Sequence, residues 1–202
     1  MDVISKWLII TRAAVFSMTA TSGLIGGLLA VALAGRPHYG NFALAFVGLI
    51  LAHAANNMIN DYFDMEGGVD TDDYARALYA PHPVLSGLLT RRQLLTAILI
   101  VNAIDALILL YFVLTVGWWT LAFALGGLFI SVFYVAPPIR LKHHGLGEPG
   151  VFLVWGPLMI GGTYYVTSGQ LPSPAVWLAS VPYALVVTTV LIGKHIDLSL
   201  IH

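Results

Sequence analysis

The sequence predicts an all-α bundle of membrane-spanning helices, from its composition and from the length and pattern of its apolar runs. The chain has 202 residues, of which 58% are hydrophobic and 9% charged, against roughly 25% charged in an average soluble domain. Its apolar runs approach the roughly 20 residues that a helix needs to cross a bilayer. These runs are apolar on all faces, unlike the short alternating strands of a membrane barrel, so helices are expected.

Six apolar runs, each interpreted as one helix, make up most of the chain. They lie at about 13–34, 41–60, 94–116, 118–136, 150–167 and 175–193. The first run is longer than a signal-peptide core and lacks a clear small-residue cleavage site, so we expect a mature helix. The sequence therefore predicts a single domain, residues 1–202, with about six transmembrane helices.

Basic residues are distributed unevenly between the two predicted faces of the membrane. With six crossings, only Arg36 of the nine Lys and Arg residues lies on the face opposite the amino terminus. The others are Lys6, Arg12, Arg76, Arg91, Arg92, Arg140, Lys142 and Lys194. Because Lys-rich and Arg-rich loops remain in the cytoplasm, we expect a multi-pass membrane protein whose site faces the cytoplasm. The plasma membrane is the location that we expect.

Cysteine content and net charge exclude several classes of function. The chain has no cysteine, so disulfides and thiol nucleophiles are excluded and any metal must be held by oxygen or imidazole. Its formal net charge is −1, which gives no support to nucleic-acid binding.

A polar segment, NNMINDYFDMEGGVD at residues 56–70, overlaps and follows the end of the second apolar run. If the helix continues through it, the polar side chains form two adjoining stripes. The stripes comprise Asn56, Asn60 and Asp64, and beside them Asn57 and Asp61. Clustered carboxylates repel one another unless a cation lies between them, and such oxygen ligands suit Mg²⁺. The alternative is a solvated acidic loop, although Asn at membrane depth is usually functional.

Four short motifs follow one another along the chain, each on the predicted cytoplasmic side. They are NDYFD with GVDT at 60–71, HPVLSG at 82–87, YVAPPIRLK with GLGE at 134–148, and GKHID at 193–197. Together they resemble the UbiA superfamily of intramembrane prenyltransferases, especially its menaquinone-type branch. Any one motif would be weak, whereas four in the right order are specific.

The resemblance implies a reaction and a set of site residues. Such enzymes bind a polyprenyl diphosphate through Mg²⁺ held by two aspartate motifs, ionise it, and transfer the prenyl group to an acceptor, commonly an aromatic ring. By position, the implied metal ligands are Asn60, Asp64, Asp70 and Asp197, and the three acids form the implied catalytic set. The implied substrate contacts are Asn57, Asn60, Asp61, Tyr134, Arg140, Lys142 and Lys194.

An allylic cation requires a dry, aromatic-lined cavity, because water would quench it. The candidates for this lining are Tyr62, Phe63, Tyr134, Trp155, Tyr164 and Tyr165. Their alternative role is interfacial anchoring in the membrane. His53, one turn before Asn57, either lines the cavity or forms a packing hydrogen bond.

The chain departs from the family pattern at its carboxyl end. Family members typically have nine transmembrane helices and a further acid in the second motif, where this chain has Ile201. We therefore expect a domain that is incomplete at its carboxyl end relative to the family. It is either a truncated or frameshifted copy of a longer enzyme, or a chain whose remaining wall comes from a partner chain or a second copy.

Two functions remain open at this point. The first is Mg²⁺-dependent prenyl transfer to an aromatic acceptor, with 1,4-dihydroxy-2-naphthoate favoured over 4-hydroxybenzoate or a tetrapyrrole by the wording of GVDT and KHID. The alternative is a non-catalytic membrane subunit or a remnant, which binds isoprenoid lipid or a partner.

Overall fold

A computed structural model describes the backbone of residues 1–35, 37–66 and 81–199, and their side chains except those of His143 and residues 194–199. Every regular element in these residues is helical, which confirms the all-α prediction. The α-helices are α1 (Val3–Ile10), α2 (Phe16–Ala34), α3 (Tyr39–Glu66), α4 (Arg91–Thr115), α5 (Trp119–Val135), α6 (Gly147–Leu153), α7 (Met159–Ser168) and α8 (Pro174–Ser199). Short 3₁₀ turns occur at Ala13–Val15 and Leu141–His144, and a π-helical segment at Val154–Leu158.

All six predicted runs are helical, but they differ in length and regularity. In the described part of the chain, four segments are long and apolar enough to cross a membrane: Ala13–Ala34, Tyr39–Glu66, Arg91–Thr115 and Pro174–Gly193. The fourth predicted run is the 17-residue α5. The run at 150–167 is divided between α6, the π-helical segment and α7. Pro157 lies inside the π-helical segment, and its missing N–H accounts for the departure from regular α-helix.

The helix that carries the polar segment extends beyond its apolar run. The apolar pattern ends near residue 60, whereas α3 continues to Glu66, so the two predicted polar stripes lie on one helix. After the undescribed residues 67–80, α4 begins with a capping box. Its Thr90 hydroxyl accepts from the Gln93 backbone N–H at 3.2 Å, and the Gln93 side chain accepts from the Thr90 N–H at 2.9 Å, an arrangement that fixes the start of a helix.

Close helix packing at the centre of the bundle depends on glycine. A Cβ atom added to Gly26 of α2 would lie 2.6 Å from the Ile160 carbonyl oxygen and 2.8 Å from the Thr163 Cβ, on α7. Only a residue without a side chain allows this approach, as is common between membrane helices.

Gly26→Ala is therefore expected to lower the free energy of unfolding by about 1–3 kcal/mol, because overpacking forces α2 and α7 apart. Gly127→Ala is the control, since a Cβ there has no atom within 4 Å and alanine favours helix by up to about 1 kcal/mol. Denaturant unfolding in detergent micelles measures both. Equal stability of the two variants would contradict the close packing.

Candidate functional site

The candidate site lies at the carboxyl end of α3, where charged side chains from separate parts of the chain converge. We define the polar turns of α3 as residues 56–66. Between described side chains, three ion pairs are formed there: Arg12 with Asp61, Lys142 with Asp64, and Arg91 with Glu66. Three of the basic residues that were predicted to share one face therefore lie beside acids of that face.

Asp64 and Lys142 form the central pair of the site. The Lys142 ammonium lies 3.3 and 3.2 Å from the two carboxylate oxygens of Asp64, although 78 positions separate the two residues. Their side chains are 13% and 24% exposed for Asp64 and Lys142 respectively. Partial burial strengthens the attraction relative to a surface pair. Two residues from different motifs, one an implied metal ligand and one an implied diphosphate contact, thus meet directly.

Asn60 lies one turn before Asp64, and its side-chain oxygen is unusual. Asn60 Oδ1 is buried and accepts no hydrogen bond within the described part of the chain. An unsatisfied buried polar atom costs about 1–3 kcal/mol, so this oxygen is available to a cation or to a donor outside the described side chains. An amide oxygen beside a carboxylate is the kind of donor set that Mg²⁺ prefers.

The donor set that the structure brings together is only part of the implied metal site. Among the described residues there is no group of three or more His, Cys, Asp or Glu side chains that could hold a metal. Asp70 lies outside the described residues, and so do the side chains of Asp197 and Lys194. Of the implied ligands, Asn60 and Asp64 are the two whose side chains the structure describes, and their oxygens are of the kind that a divalent cation takes.

A second ion pair lies deeper in the polar turns. Asp61 is completely buried, and its carboxylate accepts a hydrogen bond from the Arg12 guanidinium. The backbone of Arg12 is left-handed, with φ of 54°, a conformation that is uncommon for residues other than glycine. This turn directs the chain from α1 into the bundle and brings the guanidinium under α3.

His82, from the HPVLSG motif, supports the same turn of α3. Its Nδ1 accepts from the backbone N–H groups of Val84 and Leu85 at 3.1 and 3.2 Å. Its Nε2 therefore carries the proton and donates to the Asp61 carbonyl oxygen at 3.1 Å. The roles of Arg12 and His82 were missed in the sequence. The sequence argument used Arg12 only to infer the orientation of the chain in the membrane. Its role as an ion-pair partner could have been inferred from Asp61, because an acid inside the helix bundle needs a cation.

The two asparagines at the start of the polar turns bind neighbouring segments. The Asn57 amide donates to the Thr11 carbonyl oxygen at 2.9 Å, and Asn56 Oδ1 accepts from the Ser131 hydroxyl on α5 at 2.7 Å. Asn57, an implied substrate contact, therefore uses its amide nitrogen to attach the segment before α2.

Tyr134 and Arg140 lie on either side of the Pro137–Pro138 pair, whose peptide bond is cis. The Tyr134 ring packs closely against Gly147, where an added Cβ would lie 3.3 Å from the ring. Its phenol lies in the neighbourhood of the Glu148 and Asp64 carboxylates. Arg140 is exposed and has a left-handed backbone with φ of 46° at the start of the 3₁₀ turn that carries Lys142.

Aromatic side chains surround His53, which lies on α3 below the polar turns. The His53 ring is 5.4 Å from the rings of both Phe16 and Trp155. His53 Nδ1 lies 2.7 Å from the Thr19 hydroxyl, to which the Trp155 indole also donates at 3.2 Å. Of the proposed lining residues, Trp155 therefore lies beside α3 just before the polar turns, between the helices of the bundle.

Tyr164 and Tyr165 lie far from the polar turns. Tyr164 packs with Ala30 and Val176, and Tyr165 packs with Ala45. Ala45 precedes Asp64 by 19 positions on α3, or about 28 Å along a helix. These two tyrosines belong to the core at the opposite end of the bundle.

Comparisons with known proteins agree with the motifs. The UbiA prenyltransferase family matches residues 19–198. The chain is 26% identical to 2-carboxy-1,4-naphthoquinone phytyltransferase of Synechocystis sp., over 80% of this chain and 51% of that protein. It is 28% identical to 4-hydroxybenzoate octaprenyltransferase of Methylococcus capsulatus, over 77% of this chain and 49% of that protein.

A third relative is UbiA prenyltransferase domain-containing protein 1 of Dictyostelium discoideum, 25% identical over 90% of this chain and 55% of that protein. The chain spans about half the length of the curated relatives it matches. The family match nevertheless covers most of the chain, from the first turn of α2 into the last turns of α8. The chain belongs to the UbiA prenyltransferase family.

Proposed function

We propose that this domain transfers a prenyl group from a polyprenyl diphosphate to an aromatic acceptor, with Mg²⁺ as cofactor. The observation that carries the proposal is the Asp64–Lys142 pair, one helical turn from the buried Asn60 oxygen, which accepts no hydrogen bond from the described residues. A carboxylate and an amide oxygen suit a divalent cation, and an ammonium group suits phosphate. These groups lie at one end of an apolar bundle, which suits a lipid substrate with a charged head.

In this proposal, Asn60, Asp64, Asp70 and Asp197 would hold the metal. Bound Mg²⁺ would neutralise the negative charge that develops on the departing diphosphate. Lys142 donates hydrogen bonds to the diphosphate oxygens after leaving Asp64. Further substrate contacts come from Asn57, Asp61, Tyr134, Arg140 and Lys194.

The reaction breaks the bond between the allylic carbon and the diphosphate oxygen, whose electron pair leaves with the diphosphate. A ring carbon of the acceptor then forms a bond to the allylic carbon, and the proton on that ring carbon passes to the released diphosphate. The chain's contribution is to fix the head group and to exclude water from the allylic carbon. The aromatic surroundings of His53, formed by Phe16 and Trp155, are the part of the described structure suited to that second task.

For the acceptor we propose a bicyclic dihydroxynaphthoate, specifically 1,4-dihydroxy-2-naphthoate. The proposal rests on the amino-acid sequences of the GVDT and KHID motifs. One relative is named for a naphthoquinone and another for 4-hydroxybenzoate, so both ring systems are tested side by side.

A second candidate is a non-catalytic membrane subunit that binds isoprenoid lipid. It is kept because no group of three or more metal-binding His, Cys, Asp or Glu side chains occurs among the described residues, and a lipid can bind without a complete metal site. We further propose that the site faces the cytoplasm at the plasma membrane, and that a second copy or a partner chain supplies the rest of the cavity wall.

The deciding assay uses the purified chain in lipid vesicles, with a polyprenyl diphosphate and either 1,4-dihydroxy-2-naphthoate or 4-hydroxybenzoate. We expect prenylated naphthoate and released diphosphate with Mg²⁺, at least about 100-fold less with EDTA, and recovery when Mg²⁺ is restored. Binding of the lipid without turnover under all conditions would instead support the non-catalytic subunit.

A further inference from the structure

The outward face of α1 is entirely apolar. Val3 is 71% exposed, Ile4 73%, Leu8 53% and Trp7 39%. At 100° per residue these positions fall within an arc of about 140° on one side of the helix. We call these four residues the α1 stripe. Lys6 and Ser5 are half-buried on the other side. This arrangement is the reverse of that on a water-exposed helix.

The end of α1 is attached to the bundle where the membrane helices begin. Ile10 is completely buried and packs against Met58 of α3, Leu94 in the first turn of α4, and Leu89 before it. The helix has eight residues and is about 12 Å long. The α1 stripe therefore stays near the membrane edge.

We propose that α1 is an interfacial anchor, whose stripe is buried at the boundary between the lipid head groups and the acyl chains. A short helix with aliphatic residues and Trp on one side is typical of this location, and Lys6 can extend its ammonium to the head groups. A protein partner fits less well, because a stable interface takes about 20–30 residues a side, whereas the stripe offers four.

The anchor connects directly to the polar turns of α3. The Thr11 carbonyl oxygen accepts from Asn57, and Arg12 pairs with Asp61. Since these two residues follow α1 immediately, the depth of the stripe in the bilayer sets the height at which they meet α3. The lipid surface thus helps to hold the polar turns, whatever reaction they carry out.

The test uses the absence of cysteine, which makes single-site labelling clean. Nitroxide labels are attached to Ile4→Cys and Leu8→Cys in the full chain, in vesicles of phosphatidylethanolamine and phosphatidylglycerol. Leu107→Cys on the exposed side of α4 gives a deep lipid reference, and Gln170→Cys in a loop gives a solvent reference. Collisions with oxygen and with a water-soluble nickel chelate report the depth of each label.

Both stripe labels are expected to collide with oxygen more, and with nickel less, than the Gln170→Cys label. Their depth should be shallower than that of the Leu107→Cys label, at about 5–10 Å below the head groups. Nickel accessibility equal to that of Gln170→Cys would overturn the proposal, because the stripe would then face water. Labels that are immobilised and shielded from both reagents would overturn it as well, since protein would then cover the stripe. None of these readouts depends on prenyl transfer.

Discussion

Asp64→Asn is expected to reduce prenyl transfer by about 100-fold or more, the scale on which loss of one transition-state contact is felt. The variant keeps the size of the side chain but removes its negative charge. In the wild type this charge faces the Lys142 ammonium at 3.2 Å, and we propose that the same carboxylate is a ligand of Mg²⁺. Product formation under saturating Mg²⁺ measures the effect.

Glu66→Gln is the matched control for this variant. Glu66 lies two residues further along α3 and pairs with Arg91 at 3.0 Å, but it is 39% exposed. An exposed pair contributes little, so Glu66→Gln should retain most of the activity. Equal activity of the Asp64→Asn variant and the wild type would show that Asp64 has no part in the reaction.

Arg12→Met is expected to lower the free energy of unfolding by about 3–5 kcal/mol, the usual cost of breaking a buried ion pair from one side. The Asp61 carboxylate is completely buried, and the variant removes the guanidinium that faces it. The double variant Arg12→Met/Asp61→Asn should be more stable than Arg12→Met alone, because the negative charge of the buried Asp61 side chain is removed together with the guanidinium. Denaturant unfolding in detergent micelles measures all three proteins.

Arg91→Met is the control for this second prediction. It makes the same change in the exposed pair with Glu66, where the Arg91 side chain is 55% exposed, so a loss within about 1 kcal/mol is expected. If Arg12→Met were no more destabilising than Arg91→Met, the Arg12–Asp61 pair would not be a structural element of the site.

Features that depend on local sequence were predictable. The apolar runs gave the helices because backbone polar groups must be satisfied in lipid. The spacing of Asn60 and Asp64 placed both on one side of α3, and the helix does continue to Glu66. The π-helical segment was not predicted, because hydropathy does not report how Pro157 alters the backbone.

Contacts between distant parts of the chain were harder to predict. The motifs placed Lys142 on the same face as Asp64, but the contact itself depends on the turn after Pro138. Arg12 and Asp61 are 49 positions apart, and no periodicity links them. The lining role of Tyr164 was inferred from residue type alone, and its place in the core follows from the packing of α2, α7 and α8.

The most direct test of the central claim is a metal-binding measurement. Mn²⁺, which is visible by electron paramagnetic resonance, replaces Mg²⁺ in the presence of an unreactive polyprenyl thiodiphosphate. We compare the wild type with Asn60→Leu, in which the buried oxygen is absent. The account predicts that Mn²⁺ binds to the wild type together with the lipid, and that Asn60→Leu loses this bound metal while remaining folded. The account would be contradicted if Asn60→Leu bound Mn²⁺ as well as the wild type does. It would also be contradicted if the wild type bound the lipid equally well with and without metal.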